Sequence, residues 1–522
     1  MSLSAMSFIY KDSPLLEKAR TAFLKQEFPE SLQLFEKAVK AQPRNILALT
    51  DAARAFGQRY EIEKSLKYTR RITQLSKGNP EVDLLAAQSL RMSHRPGEAL
   101  SILKKIKSNS SAPSVTHLEL AVLLERRHQL DEALDSVEQF LRYEKSNVDA
   151  QLLKARILRR SGEVETATSI YNELSKKESQ SPQIAAQALN EWANLLDQQG
   201  DYNEAFAKLT HSKSLLEKLP VTKHSIKRAE FEHTVQNNLL DSLTPEHIEN
   251  WRSRECQQKH QRVLLTGCPR SGTTLIEKIL DSHSGVVSAD ELNAFASYIL
   301  PKLLMSISSQ GENMDQLNAD HLDLISDQVL QREERRYGKY LEAAMNESIG
   351  DRILLDKNPS LTFQIPAMLK VWPNTKILYA LRDPRDIALS CFFRWLPMNS
   401  VSVRYLSLED TLKRTAEELG AWKKIKKLLP TEAYLETRYE DTVANKEAEA
   451  SNILQWMGLQ WQDDMNDYRK HMSSRGVNSP TYEAVEKPIY KNALGRWKNY
   501  QSHFSSLSPQ FEQILEELNY TD

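Results

Sequence analysis

The sequence predicts two domains, an all-α solenoid of repeated helical pairs followed by an α/β domain with a parallel sheet. Three observations predict this. The chain has 522 residues, more than one hydrophobic core usually organises. Small residues recur at a fixed step through the first half. Near Arg262 the texture changes to short apolar runs alternating with helical patterns.

The repeat is read from the small residues. Ala19, Ala53, Ala87, Ala121 and Ala155 follow one another at a step of 34. Ser31, Ser65, Ala99, Ala133 and Ala167 form a second series twelve positions later. The pair returns as Ala193 and Ala205, offset by four extra residues that are expected to lengthen a turn near Glu178 to Pro182. Turn signals stand between the two positions, as in Arg95-Pro96-Gly97, Ser161-Gly162-Glu163 and Gln199-Gly200-Asp201, so each of six units reads as helix, turn, helix. Pro43 and Pro80 are expected to stop helices. The small positions mark where two helices cross closely, because a larger side chain would hold the axes apart. Over residues 12 to 218 this pattern resembles the tetratricopeptide repeat. The resemblance implies a concave surface for a protein or peptide, a substrate of the second domain among the candidates, or a surface that pairs two copies of the chain.

From Arg262, the run Val263-Leu264-Leu265-Thr266 suits a buried parallel strand. It leads into Gly267-Cys268-Pro269-Arg270-Ser271-Gly272-Thr273-Thr274 and then a helix with Leu275, Ile276, Ile279 and Leu280 on one face. Strand, glycine-bounded loop and helix is the arrangement in which backbone N–H groups cradle a phosphate. The nucleoside triphosphate loop places a lysine where this chain has Thr273. Without that lysine, and with Arg270 inside the loop, a shorter anion with no obligatory metal is expected in place of a magnesium-bound triphosphate.

A second cluster is Ile377-Leu378-Tyr379-Ala380-Leu381-Arg382-Asp383-Pro384-Arg385-Asp386. A strand is expected to end at Arg382 and a helix to begin at once, with Asp383 as its cap and Pro384 at its first position. Ser390 and Arg394 are expected one turn apart on that helix. With Arg382 they form a candidate second phosphate clamp.

Together these segments resemble the sulfotransferase superfamily, and more closely the tyrosylprotein sulfotransferases and their bacterial relatives with amino-terminal repeats. The similarity runs from Val263 to Trp497. It implies a P-loop-like α/β sulfotransferase domain that uses 3′-phosphoadenosine-5′-phosphosulfate and needs no metal. By the resemblance, Pro269, Arg270, Ser271, Gly272, Thr273 and Thr274 take the 5′ side of the cofactor, and Arg382, Ser390 and Arg394 take the 3′ phosphate. Glu291, in Asp290-Glu291, matches the general base. Lys357, in Asp356-Lys357-Asn358-Pro359, matches the lysine that stabilises charge on the oxygen bridging sulfur and phosphorus, a task Arg270 shares. Tyr439 matches an aromatic residue near the adenosine. In the closing segment Pro480 to Trp497, Thr481, Lys487 and Arg496 match cofactor contacts. The family's serine near the reacting oxygen is missing from this register, and Ser479 is its candidate substitute.

The expected domains are residues 1–218 for the repeats, 219–260 for a helical connector and 261–522 for the sulfotransferase. The reaction implied is in-line sulfuryl transfer to a hydroxyl, a tyrosine phenol among the candidates, or to an amine. Two other readings stand beside it: a repeat scaffold whose second domain binds nucleotide without turnover, and a P-loop kinase. Lysine plus arginine (69) and aspartate plus glutamate (70) nearly cancel, which argues against nucleic acid or membrane surfaces as partners. Cys256, Cys268 and Cys391 are too few for a disulfide framework. With no basic region followed by an apolar stretch at the start, a cytoplasmic protein is expected.

Overall fold

The computed structural model describes residues 11–25, 27–256, 260–468, 493–505 and 507–521. The chain divides into two compact units, residues 1–167 with 339–348, and residues 168–338 with 349–522.

The first unit is a solenoid of helical pairs. Its first four helical pairs are Pro14–Leu24 with Phe28–Ala41, Ile46–Gln58 with Ile62–Ser76, Pro80–Met92 with Pro96–Lys107, and Val115–Arg126 with Leu130–Tyr143. Val148–Ser161 opens the fifth pair and Val164–Ser175 completes it. The sixth, Pro182–Gln199 with Tyr202–Glu217, lies in the second unit. All twelve small residues of the two series are at most 1% exposed, as close helix crossings require. Where the second series carries serine, the hydroxyl has a use: Ser31 Oγ donates to the Ala19 carbonyl at 2.9 Å, and Ser65 Oγ to that of Ala53.

Three local expectations are corrected. Pro80 begins a helix instead of stopping one, since its fixed φ and missing N–H suit the first helical turn. In the third repeat the left-handed turn residue is His94, while Pro96 and Gly97 already belong to the next helix. The left-handed positions Tyr60, His94, His128 and Gly162 follow the repeat step, and Gly200 follows it with the four extra residues added. The four extra residues before Ala193 lengthen a helix: Pro182–Gln199 starts eleven residues ahead of its alanine, against seven for Val148–Ser161. Four residues are close to one turn of about 3.6, so the alanine still faces its partner helix.

In the second unit the helices Pro220–Ser242 and Pro245–Arg252 lead to the sheet. The strands are β1 (Arg262–Gly267), β2 (Val286–Asp290), β3 (Ile353–Lys357), β4 (Lys376–Leu381) and β5 (Tyr434–Arg438). They are all parallel, in the order β2-β3-β1-β4-β5. Every residue of β1 is buried, as a central parallel strand covered on both faces must be. Helices Thr273–Asp281 and Lys446–Met457 bury Ile276, Ile279, Leu280, Ile453, Leu454 and Met457 against Val263, Leu265, Leu355 and Leu378. The strand order reverses direction at β1, so the loops after β1 and β4 open side by side at the carboxyl edge, where ligands bind in such sheets. Among the described residues no helix is long and apolar enough to cross a membrane.

Candidate functional site

Backbone geometry shapes the loop after β1. Gly267, at φ 147°, lies so close to β4 that a Cβ there would stand 2.5 Å from the Ala380 carbonyl oxygen. Arg270 follows with φ 75° and Gly272 with φ 98°, and Ser271 N donates to Cys268 O at 3.1 Å. The helix Thr273–Asp281 then begins, and its first N–H groups point back into the loop with the positive end of the helix dipole. The Tyr439 ring lies on Gly272, where a Cβ would be 2.4 Å from Tyr439 Cδ2.

The second loop joins the first because β1 and β4 pair. Asp383 caps the helix Pro384–Phe392, accepting from Arg385 N at 2.9 Å. Arg382 Nη1 donates to the Arg270 carbonyl at 3.1 Å, Nη2 pairs with Asp386 at 3.3 Å, and its guanidinium lies 4.7 Å above the Tyr439 ring. Arg270 Nε in turn donates to Ser390 Oγ at 3.0 Å. Arg270, Arg382 and Ser390 are thus brought together. Ser271 Oγ and Arg382 Nε are buried with no hydrogen-bond partner among the described residues. Arg394 differs from the expectation: the helix ends at Phe392 and Phe393 is its cap, so Arg394 lies just past the helix instead of one turn along it.

Asp386 was missed as a site residue, although its place in the first turn of the helix was legible. Its two carboxylate oxygens accept from Gly495 N at 2.8 Å and Trp497 N at 2.9 Å, fastening the closing segment above Arg382. Burial raises the Asp386 pKa, and Arg382 opposes that shift. Arg496 forms an ion pair with Asp197 at 2.9 Å. Ser479, Thr481 and Lys487 lie outside the described residues.

The third constellation stands where β2 and β3 end. Asp290 and Lys357 are register partners, and Glu291 N donates to Lys357 O at 3.1 Å. Lys357 Nζ lies 2.7 Å from Glu291 Oε1, 3.1 Å from Asp290 Oδ1 and 3.3 Å from Glu277 Oε2. Exposure rises outward along these carboxylates, from 0% for Glu277 through 13% for Asp290 to 22% for Glu291. Burial works against the charge on Lys357, but Glu277, Asp290 and Glu291 outweigh it and raise its pKa, so the amine keeps its proton. Burial also raises the Glu277 pKa, with Asp290 adding to the shift and Lys357 and Lys278 opposing it. Ser288 Oγ donates to Glu277 Oε1 at 2.5 Å, and Lys278 Nζ stands 3.5 Å from both Glu277 and Asp290. Sequence reading missed Glu277 and Lys278. The available signal was their spacing, one helical turn beyond Thr273 and Thr274, which turns them toward the same end of the sheet.

Glu291 has φ 48°. Glu291 and Arg270 are non-glycine residues in the left-handed region, a conformation that costs about 1–3 kcal/mol and clusters at functional sites. His283 has a structural role: Nδ1 accepts from Gly285 N at 2.9 Å, and Nε2 bonds the Gln460 carbonyl at 2.9 Å. Among the described residues no group of three or more His, Cys, Asp or Glu side chains is placed to hold a metal ion.

Residues 262–463 match the sulfotransferase family. The chain is 24% identical over 442 residues to an uncharacterized protein of Aquifex aeolicus, covering 84% of this chain and 55% of that relative. It thus spans little more than half of that relative's length. It is 24% identical over 288 residues to protein-tyrosine sulfotransferase 2 of Gallus gallus, covering 53% of this chain and 70% of that one. Among solved structures, the sulfotransferase domain from the curacin biosynthetic pathway aligns with a TM-score of 0.34 and 18% identity, over 50% of this chain and 98% of that one.

Proposed function

We propose that this chain, whose residues 262–463 match the sulfotransferase family, moves a sulfuryl group from 3′-phosphoadenosine-5′-phosphosulfate to a hydroxyl or amine acceptor. A tyrosine phenol is the first acceptor to test, since protein-tyrosine sulfotransferases are among the relatives. The observation that carries the reading is the position of Arg270. Its guanidinium bonds Ser390 while its carbonyl takes Arg382, so one residue links the loop suited to the 5′ side of the nucleotide with the helix suited to its 3′ phosphate.

The residues fit such a cofactor. Ser271 Oγ and Arg382 Nε are buried polar atoms without a partner among the described residues, and a phosphate would supply acceptors for them. Pro269 to Thr274 would hold the 5′ side, Arg382, Ser390 and Arg394 the 3′ phosphate, and Tyr439 the adenosine. When bound, the cofactor supplies an activated sulfuryl group. Glu291, the most exposed of the three carboxylates around Lys357, would take the proton of the acceptor hydroxyl or amine. Lys357 and Arg270 would stabilise negative charge on the leaving phosphate, which is electrostatic catalysis by groups already in place. The solenoid would present a protein or peptide, as substrate or partner, or hold a second copy of the chain, with the cytoplasm as the setting.

Calorimetric titration with 3′-phosphoadenosine-5′-phosphate, without metal, beside Arg382→Ala tests the reading. Binding by the wild type that the variant loses supports it. No binding by the wild type, together with binding of ATP and magnesium, would replace it with a kinase.

A further inference from the structure

In a solenoid each helical pair covers the one before it, so the last pair needs something else to cover its apolar face. Here part of that cover belongs to the candidate cofactor site, while Ala185, Ala186, Leu189, Leu215 and Leu216 pack with Ala229, Val403 and Leu406. Ala193, Ala205 and Leu209 of the sixth pair pack in one cluster with Ala388, Leu389, Phe392 and Phe393 and with Trp497, Tyr500 and Phe504. The first group of partners lies on and just past the helix bearing Ser390, and the second lies in the helical turns Arg496–Phe504 that end the closing segment and follow it.

Polar contacts follow the same surface. Asn190 Nδ2 donates to the Phe393 carbonyl at 3.2 Å, and Lys213 Nζ to that of Arg394 at 3.0 Å. Both carbonyls lie just past Phe392, the last helical residue, and the sixth pair supplies their donors. Asp197, seven residues and about two turns beyond Asn190 on the same face, accepts from Arg496 Nε at 3.2 Å and pairs with its Nη2 at 2.9 Å. The Arg496 guanidinium also lies 4.5 Å from the centre of the Phe393 ring. One edge of the guanidinium is thereby fixed by a carboxylate and one face by an aromatic ring. Neighbouring Gly495 and Trp497 are held by Asp386.

We propose that Asp197, a residue of the last repeat, is a positioning residue of the cofactor site, holding Arg496 so that the remaining N–H donors of its guanidinium engage a phosphate. This rests on the sulfotransferase reading above. An arginine held beforehand loses less rotamer freedom when it takes the anion, which strengthens binding without a new contact. The sixth repeat therefore serves the nucleotide, and its apolar face is not open to a partner.

The test is calorimetric titration of the full chain with 3′-phosphoadenosine-5′-phosphate. Asp197→Asn, which keeps the shape and removes the charge, is expected to weaken binding about ten-fold. Arg496→Gln is expected to weaken it at least as much, and the double variant no further than Arg496→Gln alone, because Asp197 acts through Arg496. Tyr500→Phe removes the other donor to Asp197, a hydroxyl at 2.7 Å. It is expected to lower the thermal midpoint and leave the affinity unchanged. If Asp197→Asn binds like the wild type while Arg496→Gln does not, Asp197 is only a structural ion partner and the proposal fails. It fails as well if Arg496→Gln binds like the wild type. A wild-type protein that binds no nucleotide overturns the sulfotransferase reading itself, a different outcome from either.

Discussion

Lys357 Nζ lies 2.7 Å from Glu291 Oε1, and the same ammonium reaches Glu277, on the helix that follows the phosphate-binding loop, at 3.3 Å. One cation thus joins the candidate base to a carboxylate with no exposure to solvent. Glu291→Gln should lower turnover by about 10²- to 10⁴-fold, the usual value of a general base, with nucleotide affinity held within about two-fold. Sulfuryl transfer to trial phenols, measured beside calorimetry, checks both numbers. A variant that binds and turns over normally would remove Glu291 from the chemistry.

Lys357→Met should be the more damaging change to the fold. It takes from the fully buried Glu277 carboxylate the nearer of its two lysines and leaves Lys278 at 3.5 Å, and breaking a buried pair from one side costs up to about 3–5 kcal/mol. Glu291→Gln removes a partly exposed partner and leaves Lys357 with two carboxylates, so its cost should be much smaller. Chemical unfolding of the two variants ranks them. Equal stability would mean that Glu277 does not need the lysine.

Gly272→Ala should weaken nucleotide binding about ten-fold or more, since a left-handed non-glycine residue alone costs about 1–3 kcal/mol. The glycine has φ 98°, and the added Cβ would meet Tyr439 at 2.4 Å. Adding Tyr439→Ala relieves the collision but not the backbone strain, so recovery should be partial at best. Affinity like that of the wild type in Gly272→Ala would show that the loop does not have to hold this shape.

A pH effect follows from Glu418. Burial pushes its carboxyl from the ordinary 4.5 up to about 7, against the pull of Arg414 at 3.9 Å and a hydrogen bond of 3.1 Å from Thr362. Folding therefore binds a proton between those pH values. The stabilisation is complete below pH 4.5 and is lost as pH rises through 7. Glu418→Gln keeps the neutral form at every pH. Its stability relative to the wild type should rise by at most about 3 kcal/mol across that window, read on the unfolding transition that nucleotide raises. A difference that stays flat with pH would mean the carboxyl is not held neutral.

The parts legible in the sequence were those that local spacing encodes. The alanine and serine series marked twelve buried positions in the repeat helices because one step of 34 repeats one geometry. Gly267 to Thr274 and Arg382 to Asp386 were legible because strand, loop and helix follow one another along the chain. Spacing could not show Glu277 meeting Lys357 across 80 residues, or Asp197 meeting Arg496 across 299. Those contacts exist only once β2, β3 and the sixth repeat are in place. Arg394 was expected on the helix and lies two residues past its last one, Phe392, because a helix end depends on its cap, here Phe393, and not on residue spacing.

The small positions of the repeat offer a last test, one that separates the two units. Ala121 is fully buried where Val115–Arg126 crosses its partner helix. Ala121→Leu adds three carbons to a packed crossing and should cost about 1–3 kcal/mol. Ser65→Ala loses the bond to the Ala53 carbonyl and leaves the Ser93 hydroxyl with one partner fewer, which should cost about 1 kcal/mol. Both residues belong to the first unit, and every described candidate cofactor residue belongs to the second. In a solenoid each repeat acts mainly on its neighbours, so both variants should lower the unfolding midpoint of the first unit and leave nucleotide affinity unchanged. A loss of affinity in Ala121→Leu would overturn this separation.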